Sequence, residues 1–518
     1  MKRTIKILDT TLRDGSQMEG VSFSILDKIK IAHALDSFGV PYIEGGFPGS
    51  SEKERDFFKK VQKEKFSHAK IFAFGATRHR RNKAKDDISL KSIIESGVSG
   101  AVIFGKSWDF QVTDILNASL EENLDIIGSS VEFLVKNGLE VFFDAEHFFD
   151  GFKTNPKYSL KCINEAKKAR AQNITLCDTN GGLLPQEIYN ISKKVTEEIK
   201  TSIGIHAHND SGCAVANSIA AADAGADLMH VTVNGYGERC GNADLCTLVP
   251  NLELKTGFSL QPKVKLENIR SLSIFVSELA NLSPDKKRPF VGENAFTHKA
   301  GVHASAVNKN PKAYEHITPS LVGNTNKITV SELSGKSNVI AKAKEFGFEA
   351  TEEKIREILE IVKKNEENGF CYESADGSLF LLMKKVFEKK EIPFEISDFF
   401  VIAEKGRRGE EMISEATIKL RVKNIQEHTV SSGNGPVNAL DIALRKALEP
   451  FFPMVNKVKL TDYKVRIVDS QSGTQAATRV LIESEFMDKK VSTVGASENI
   501  IEASFAALVD AYSYVIFM

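Results

Sequence analysis

The chain has 518 residues, with Lys+Arg 68 against Asp+Glu 69, a net charge of −1 that offers no global field to nucleic acid or an anionic membrane. At 42% hydrophobic and 26% charged residues it can bury a large core, which excludes wholesale disorder, collagen and a disulfide scaffold. Its six cysteines form no CxxC and read as reduced thiols of a cytosolic protein.

Met1-Lys2-Arg3-Thr4 runs straight into a strand-like Ile5–Leu8 with no apolar leader segment behind it, so no signal peptide is expected. Further short apolar runs follow at Tyr42-Ile43, Ile71–Phe74, Ala101–Phe104, Val141–Phe143, Ile174–Leu176, Ile203–Ile205 and Met229–Val233, each separated by room for a helix. Alternating strands and helices imply βαβ units and a parallel sheet. Eight repeats within about 250 residues fit a (β/α)8 barrel. An open doubly wound sheet would favour a Gly-rich fingerprint after the first strand, whereas Asp9-Thr10-Thr11-Leu12-Arg13-Asp14-Gly15 stands there. The run Arg78-His79-Arg80-Arg81 reads as a solvated loop. Residues 265–285 read as a helix, Pro289–Asn326 is rich in Gly, His and Asn, and 331–365 is helical and strongly charged. From about Glu391, Ile418–Val422 and Val465–Val468 alternate apolar and polar as half-buried strands do, with helices at Val437–Leu448 and Ile500–Tyr512. The expected division is 1–265 catalytic barrel, 266–390 helical linker and 391–518 a small α+β domain. No run approaches the ~20 apolar residues of a membrane span.

The strongest local signal is Ile203-Gly204-Ile205-His206-Ala207-His208-Asn209-Asp210. Strand alternation puts His206 and His208 on one face, at the barrel end where active sites lie. Asp14 follows the first strand and Asn242 sits in the loop after the eighth, and these strands are neighbours in a closed barrel. Two imidazoles with Asp and Asn oxygens suit a divalent ion, Zn²⁺, Mn²⁺ or Mg²⁺. Arg13 places a fixed positive charge beside them, suited to a developing oxyanion. Asp144 and Glu146 share a face at the end of strand five, and Glu146 at the rim suits a base. Thr179, in the turn after strand six, suits hydrogen bonding to a substrate carboxylate.

Together these residues resemble the 2-isopropylmalate, homocitrate and citramalate synthase family of metal-dependent barrels. Leu12–Gln17 with Lys28 match its first signature, and His206–Gly212 its second. Ser470–Gly473 and Thr493–Ala503 resemble its regulatory domain, so the resemblance covers nearly the whole chain. It implies condensation of acetyl-CoA with a 2-oxo acid. Asp14, His206, His208 and Asn242 would hold the metal, Arg13 would stabilise negative charge, and Glu146 would assist proton transfer. Arg13, Asp14, Asp144 and Thr179 would bind the oxo acid. Phe296–Ala304 resembles the family's linker motif, usually supplied across a dimer, and His303 and Tyr314 match its catalytic His and Tyr. Gly46–Ser50 and Asp144–Gly151 look like a long form of citramalate synthase, whose oxo acid is pyruvate, in isoleucine synthesis. Asp144 stands where relatives carry an apolar or hydroxyl residue. The resemblance further implies a cytoplasmic homodimer with an amino-acid effector at the C-terminal domain. Alternatives are the 2-oxoisovalerate enzyme of leucine synthesis, a hydroxyacyl-CoA lyase and a non-catalytic amino-acid sensor.

Overall fold

The structure is a computed structural model that describes residues 3–299, 301–405, 412–468, 476–487 and 489–518. The eight apolar runs are strands: β1 (Arg3–Asp9), β2 (Tyr42–Gly46), β3 (Lys70–Ala76), β4 (Gly100–Lys106), β5 (Glu140–Glu146), β6 (Asn173–Asp178), β7 (Ile203–Ala207) and β8 (Leu228–Val231). They pair in parallel in chain order, and β1 joins both β2 and β8, which closes a (β/α)8 barrel. Around it run α1 (Ile25–Phe38), α2 (Glu52–Val61), α3 (Ile88–Glu95), α4 (Leu120–Lys136), α5 (Phe148–Thr154), α6 (Pro156–Lys168), α7 (Pro185–Ile199) and α8 (Ala214–Asp223). Their starts are set by local chemistry. Ser24 and Asp27 form a capping box on α1, Ser51, Asp87 and Ser119 cap α2, α3 and α4, and Asn155 with Pro156 opens α6. Arg78, rather than being solvated, is buried and ties its loop by bonds to Ser129, Asp125 and the carbonyl of Asn82.

Two apolar layers hold the barrel. The larger lies between sheet and helices. A smaller cluster of Leu8, Tyr42, Phe72, Val102, Phe142 and Leu228 fills the inside. Two residues further along the same strands stand Glu44, Phe74, Phe104, Asp144 and His230, so period-two alternation turns the next inward layer polar and aromatic. After the barrel come α9 (Leu245–Lys255), β9 (Phe258–Leu260) and α10 (Ile269–Leu279). The first compact unit comprises Met1–Phe296 and Ile317–Thr325.

The second unit comprises Thr297–His316 and Asn326–Met518. It begins with the short parallel pair β10 (Thr297–His298) and β11 (Lys327–Ile328), and with α11 (Gly301–Lys309) between them in sequence. Next come α12 (Lys336–Glu345), α13 (Glu352–Glu367) and α14 (Asp376–Glu388), around a core that includes Val339, Ile358, Leu379 and Met383. The rest is two antiparallel sheets. β12 (Glu395–Lys405), β13 (Met412–Val422) and β14 (Ile425–Gly433) precede α15 (Pro436–Leu448). β15 (Lys459–Ile467), β16 (Thr478–Phe486) and β17 (Lys489–Ser497) precede α16 (Ile500–Phe517). The two halves share one core. Thr429 on β14 donates to the Ala443 carbonyl on α15, and Thr493 on β17 donates to the Ala507 carbonyl on α16, an offset of 64 residues in both cases. This βββα repeat is a feature the sequence reading did not find.

By length and composition α16 is apolar enough to cross a membrane, but half of it is buried and it packs on β16, β17 and α14 as a core helix. Gly495 permits that packing, since a Cβ there would lie 2.0 Å from the Ala503 carbonyl oxygen. Ser470–Gly473, one of the matched segments, lies outside the described residues.

Candidate metal centre and active site

The loop after β1 is fixed by its own polar groups. Asp9 accepts from the amide and hydroxyl of Thr11, at 2.9 and 3.0 Å, and Thr11 in turn accepts from the Val233 amide behind β8. The Thr10 hydroxyl donates to Glu44 at 2.7 Å and accepts from the Asp14 amide. This turn places Arg13 and Asp14 over the barrel mouth. Arg13 Nε donates to Glu44 Oε1 at 2.5 Å, its Nη1 lies 3.3 Å from Asp14 Oδ2, and the guanidinium stacks 3.8 Å over Phe74. Burial opposes the Arg13 charge, but Glu44 and Asp14 more than offset it, so the cation is permanent. Lys28, of the first signature, is buried and bridges Glu54 at 2.5 Å and the Gly45 carbonyl, bracing the end of β2.

His206 on β7 and His208 just beyond it are both buried, with their Nε2 atoms 3.4 Å apart. Asp14 Oδ2 lies 3.3 Å from His206 Nε2, and the nearest ligand atoms of Asp14, His206 and His208 all fall within 4.8 Å of one another. An antiparallel bridge from His208 to Asn242 folds the loop after β8 across the end of β7. The Asn242 amide nitrogen donates to the Tyr236 carbonyl at 3.1 Å, which leaves Oδ1 as the coordinating atom.

These residues fit a divalent ion. Two donors at ~2.1 Å from one ion sit roughly 3.0–3.5 Å apart, the spacing seen here. Asp14 Oδ1 and Asn242 Oδ1 are buried without a hydrogen-bond partner among the described residues. Such orphans cost ~1–3 kcal/mol each unless something binds them. Two of the ligands are already in the binding form, while at His206 Asp14 outweighs burial and raises the imidazole, whose proton an ion would displace. Burial alone would raise the Asp14 carboxyl, but Arg13 and the two imidazoles hold it well below the usual range. Burial, then His206, depresses His208 to about 4, so it is a neutral lone-pair donor at neutral pH.

Asp144 faces the same mouth. Burial raises its carboxyl to about 7, with Glu44 adding to the effect and His206 and Arg13 opposing it. Its Oδ2 lies 4.0 Å from Nδ1 of His230, a fully buried imidazole that burial holds well below its usual value. His230 Nε2 meets the Thr175 hydroxyl at 3.1 Å, Thr175 donates to Asn173 Oδ1, and Asn173 donates to Ser202. Since Thr175 has spent its proton on Asn173, His230 must donate, and the Nε2–H tautomer follows.

Glu146, at the rim, is paired through Oε2 with Lys106 at 2.5 Å. The Thr179 hydroxyl accepts from the His147 amide at 2.9 Å, so its own proton remains available to a substrate. His303 and Tyr314 belong to the second unit, where their rings stack at 4.3 Å; they are not among the residues the barrel itself brings together. Sequence reasoning missed Glu44, His230 and Lys106. The signal for the first two was a single polar residue two positions after an inward apolar one.

The comparisons agree along the whole chain. The HMGL-like family matches residues 4–276, the homocitrate synthase post-HMGL domain-like family 290–369, and the LeuA allosteric (dimerisation) domain 373–516. A curated (R)-citramalate synthase of Aquifex aeolicus is 51% identical over 99% of this chain and 98% of its own length. One of Geobacter sulfurreducens is 50% identical over 98% of this chain and 97% of its own. A 2-isopropylmalate synthase of Methanocaldococcus jannaschii is 32% identical over 99% of this chain and 95% of its own. The chain therefore belongs to the HMGL-like family, among the members that carry a LeuA allosteric (dimerisation) domain behind the barrel.

Proposed function

We infer that the protein is a condensing acyltransferase that joins acetyl-CoA to pyruvate, with water, to give (R)-citramalate and free CoA. The observation that carries this is the end-to-end match, at 51% identity, to a curated enzyme of that name. The barrel mouth supplies a chemistry to match. Asp14, His206, His208 and Asn242 would hold a divalent ion, which when bound would supply Lewis-acid polarisation of the oxo acid. Arg13, locked by Glu44, presents a guanidinium that stabilises the ketone oxygen as it becomes an alkoxide. Glu146 takes a proton from the acetyl methyl, the C–H electron pair becomes the thioester enolate, and the enolate carbon forms the new bond to the ketone carbon. Thr179 donates to the oxo-acid carboxylate. Asp144, whose carboxyl burial raises, stands where relatives carry an apolar or hydroxyl residue and binds the oxo acid. Water then cleaves the C–S bond and CoA leaves.

We further propose the division 1–265, 266–390 and 391–518, a homodimer through the LeuA-type domain, and isoleucine as its effector. We propose His303 and Tyr314 as the catalytic His and Tyr of the linker motif, supplied across the dimer. Release of free thiol from acetyl-CoA, followed with pyruvate, 2-oxoisovalerate, 2-oxoglutarate and glyoxylate in turn, tests the central claim. A strong preference for pyruvate is expected. Preference for 2-oxoisovalerate would overturn the substrate and retain the chemistry, and no thiol release from metal-loaded protein would overturn both.

A further inference from the structure

Lys106 belongs to neither family signature, and nothing in the chemistry above uses it. It is the last residue of β4 and the register partner of Glu146, the last residue of β5. Both side chains are about a fifth exposed, and Lys106 Nζ contacts Glu146 Oε2 at 2.5 Å. The backbone is tied at the same place. The Ser107 hydroxyl and amide both donate to the Glu146 carbonyl, at 2.6 and 3.3 Å. Lys106 is itself anchored, because the Asn123 amide donates to its carbonyl at 2.9 Å. Glu146 is thus held to β4 by hydrogen bonds at its carbonyl and by an ion pair at Oε2, a buried oxygen that accepts no hydrogen bond among the described residues.

The geometry points to Lys106 as the positioning residue for Glu146. We propose that its ammonium clamps Oε2 so that Oε1 meets the acetyl methyl, and that Lys106 does not itself touch the reacting atoms. A free glutamate at a barrel rim samples several rotamers, whereas proton abstraction needs one of them. Misplacement by ~1 Å costs on the order of 100-fold in rate. Glu146 acts electrostatically on Cys177 of β6, its thiol pushed well above the usual value mainly by burial, and Asp144 lies two residues before it on the same strand. Neither can clamp a carboxylate, which leaves Lys106 as the cation in contact.

This inference rests on Glu146 being the base, and the test separates the two. kcat and both KM values are measured for Lys106→Met, Lys106→Arg, Glu146→Gln and the double variant Lys106→Met/Glu146→Gln, each checked for native circular dichroism. Lys106→Met should lower kcat by roughly 10–100-fold with KM for pyruvate and acetyl-CoA changed less than about twofold, and Lys106→Arg should restore most of it. On a Glu146→Gln background, Lys106→Met should cost nothing further, because its effect passes through the same carboxylate. An additional loss there, or a raised KM with normal kcat in Lys106→Met, would show that Lys106 acts on substrate or on folding and sink the inference alone. Full activity in Glu146→Gln would sink the base assignment and the inference with it.

Discussion

Glu44 carries no exposed surface and meets two donors, Arg13 at 2.5 Å and Thr10 at 2.7 Å. Removing one partner of a buried ion pair costs ~3–5 kcal/mol, because the other charge stays behind undesired by its surroundings. Glu44→Ala should therefore lose about that much stability in urea denaturation, and lose activity as well, because Arg13 is no longer aimed. Glu44→Gln, which keeps an acceptor for Thr10, should lose less of both. A Glu44→Ala protein as stable as the wild type would show that Asp14 and the Phe74 ring hold Arg13 without Glu44. Arg13, Asp14, His206 and His208 were legible in the sequence because each stands just past an apolar run, where a barrel opens. Glu44 and His230 were not. Glu44, just past Tyr42-Ile43, looks like a strand ending, and His230, inside Met229–Val233, looks like a polar interruption of a strand; only inward layering gives either a role. Lys106 was hidden for another reason, since its partner is a neighbour only through sheet register.

The eight barrel strands were legible because short apolar runs recur with room for a helix between them, the rhythm of βαβ units. The 64-residue repeat of the C-terminal halves was not, because helix-on-sheet packing conserves shape and burial rather than residue identity. One contact ties three elements there. Ser378 on α14 donates to Asp510 on α16 at 2.5 Å and accepts from the Val494 amide on β17 at 3.0 Å. Burial raises the Asp510 carboxyl to about 6, against the Ser378 bond. The folded chain then holds this proton more tightly than the unfolded one. The resulting stability is complete below the ordinary carboxylate value and is lost as pH rises through about 6. Asp510→Asn removes that loss. Its melting temperature should gain on the wild type as pH rises from about 3.5 to about 7, which spans the ordinary and the raised carboxyl values. Parallel melting curves would show that Asp510 titrates normally.

At the scale of the whole molecule, the chain leaves the first unit after Phe296, returns for Ile317–Thr325, and leaves again. The returning segment is part of the barrel unit's core. Val322 has no exposed surface, and Asn324 donates to the carbonyls of Phe290 and Gly292, both at 2.9 Å. Burying a valine is worth ~1.5–3 kcal/mol, and each hydrogen bond adds ~1. A fragment of residues 1–325 should therefore be more stable to urea than 1–296 by roughly 3.5–5 kcal/mol. Equal midpoints would mean that the return contributes nothing. That same excursion sets a schedule for synthesis. The barrel unit is incomplete when Phe296 is made, and Thr325 follows only 29 residues later. At ~5–20 residues per second this is a wait of roughly 1.5–6 s, during which the nascent barrel lacks its last core residue. A chaperone that engages the growing chain has its clearest opportunity in that interval.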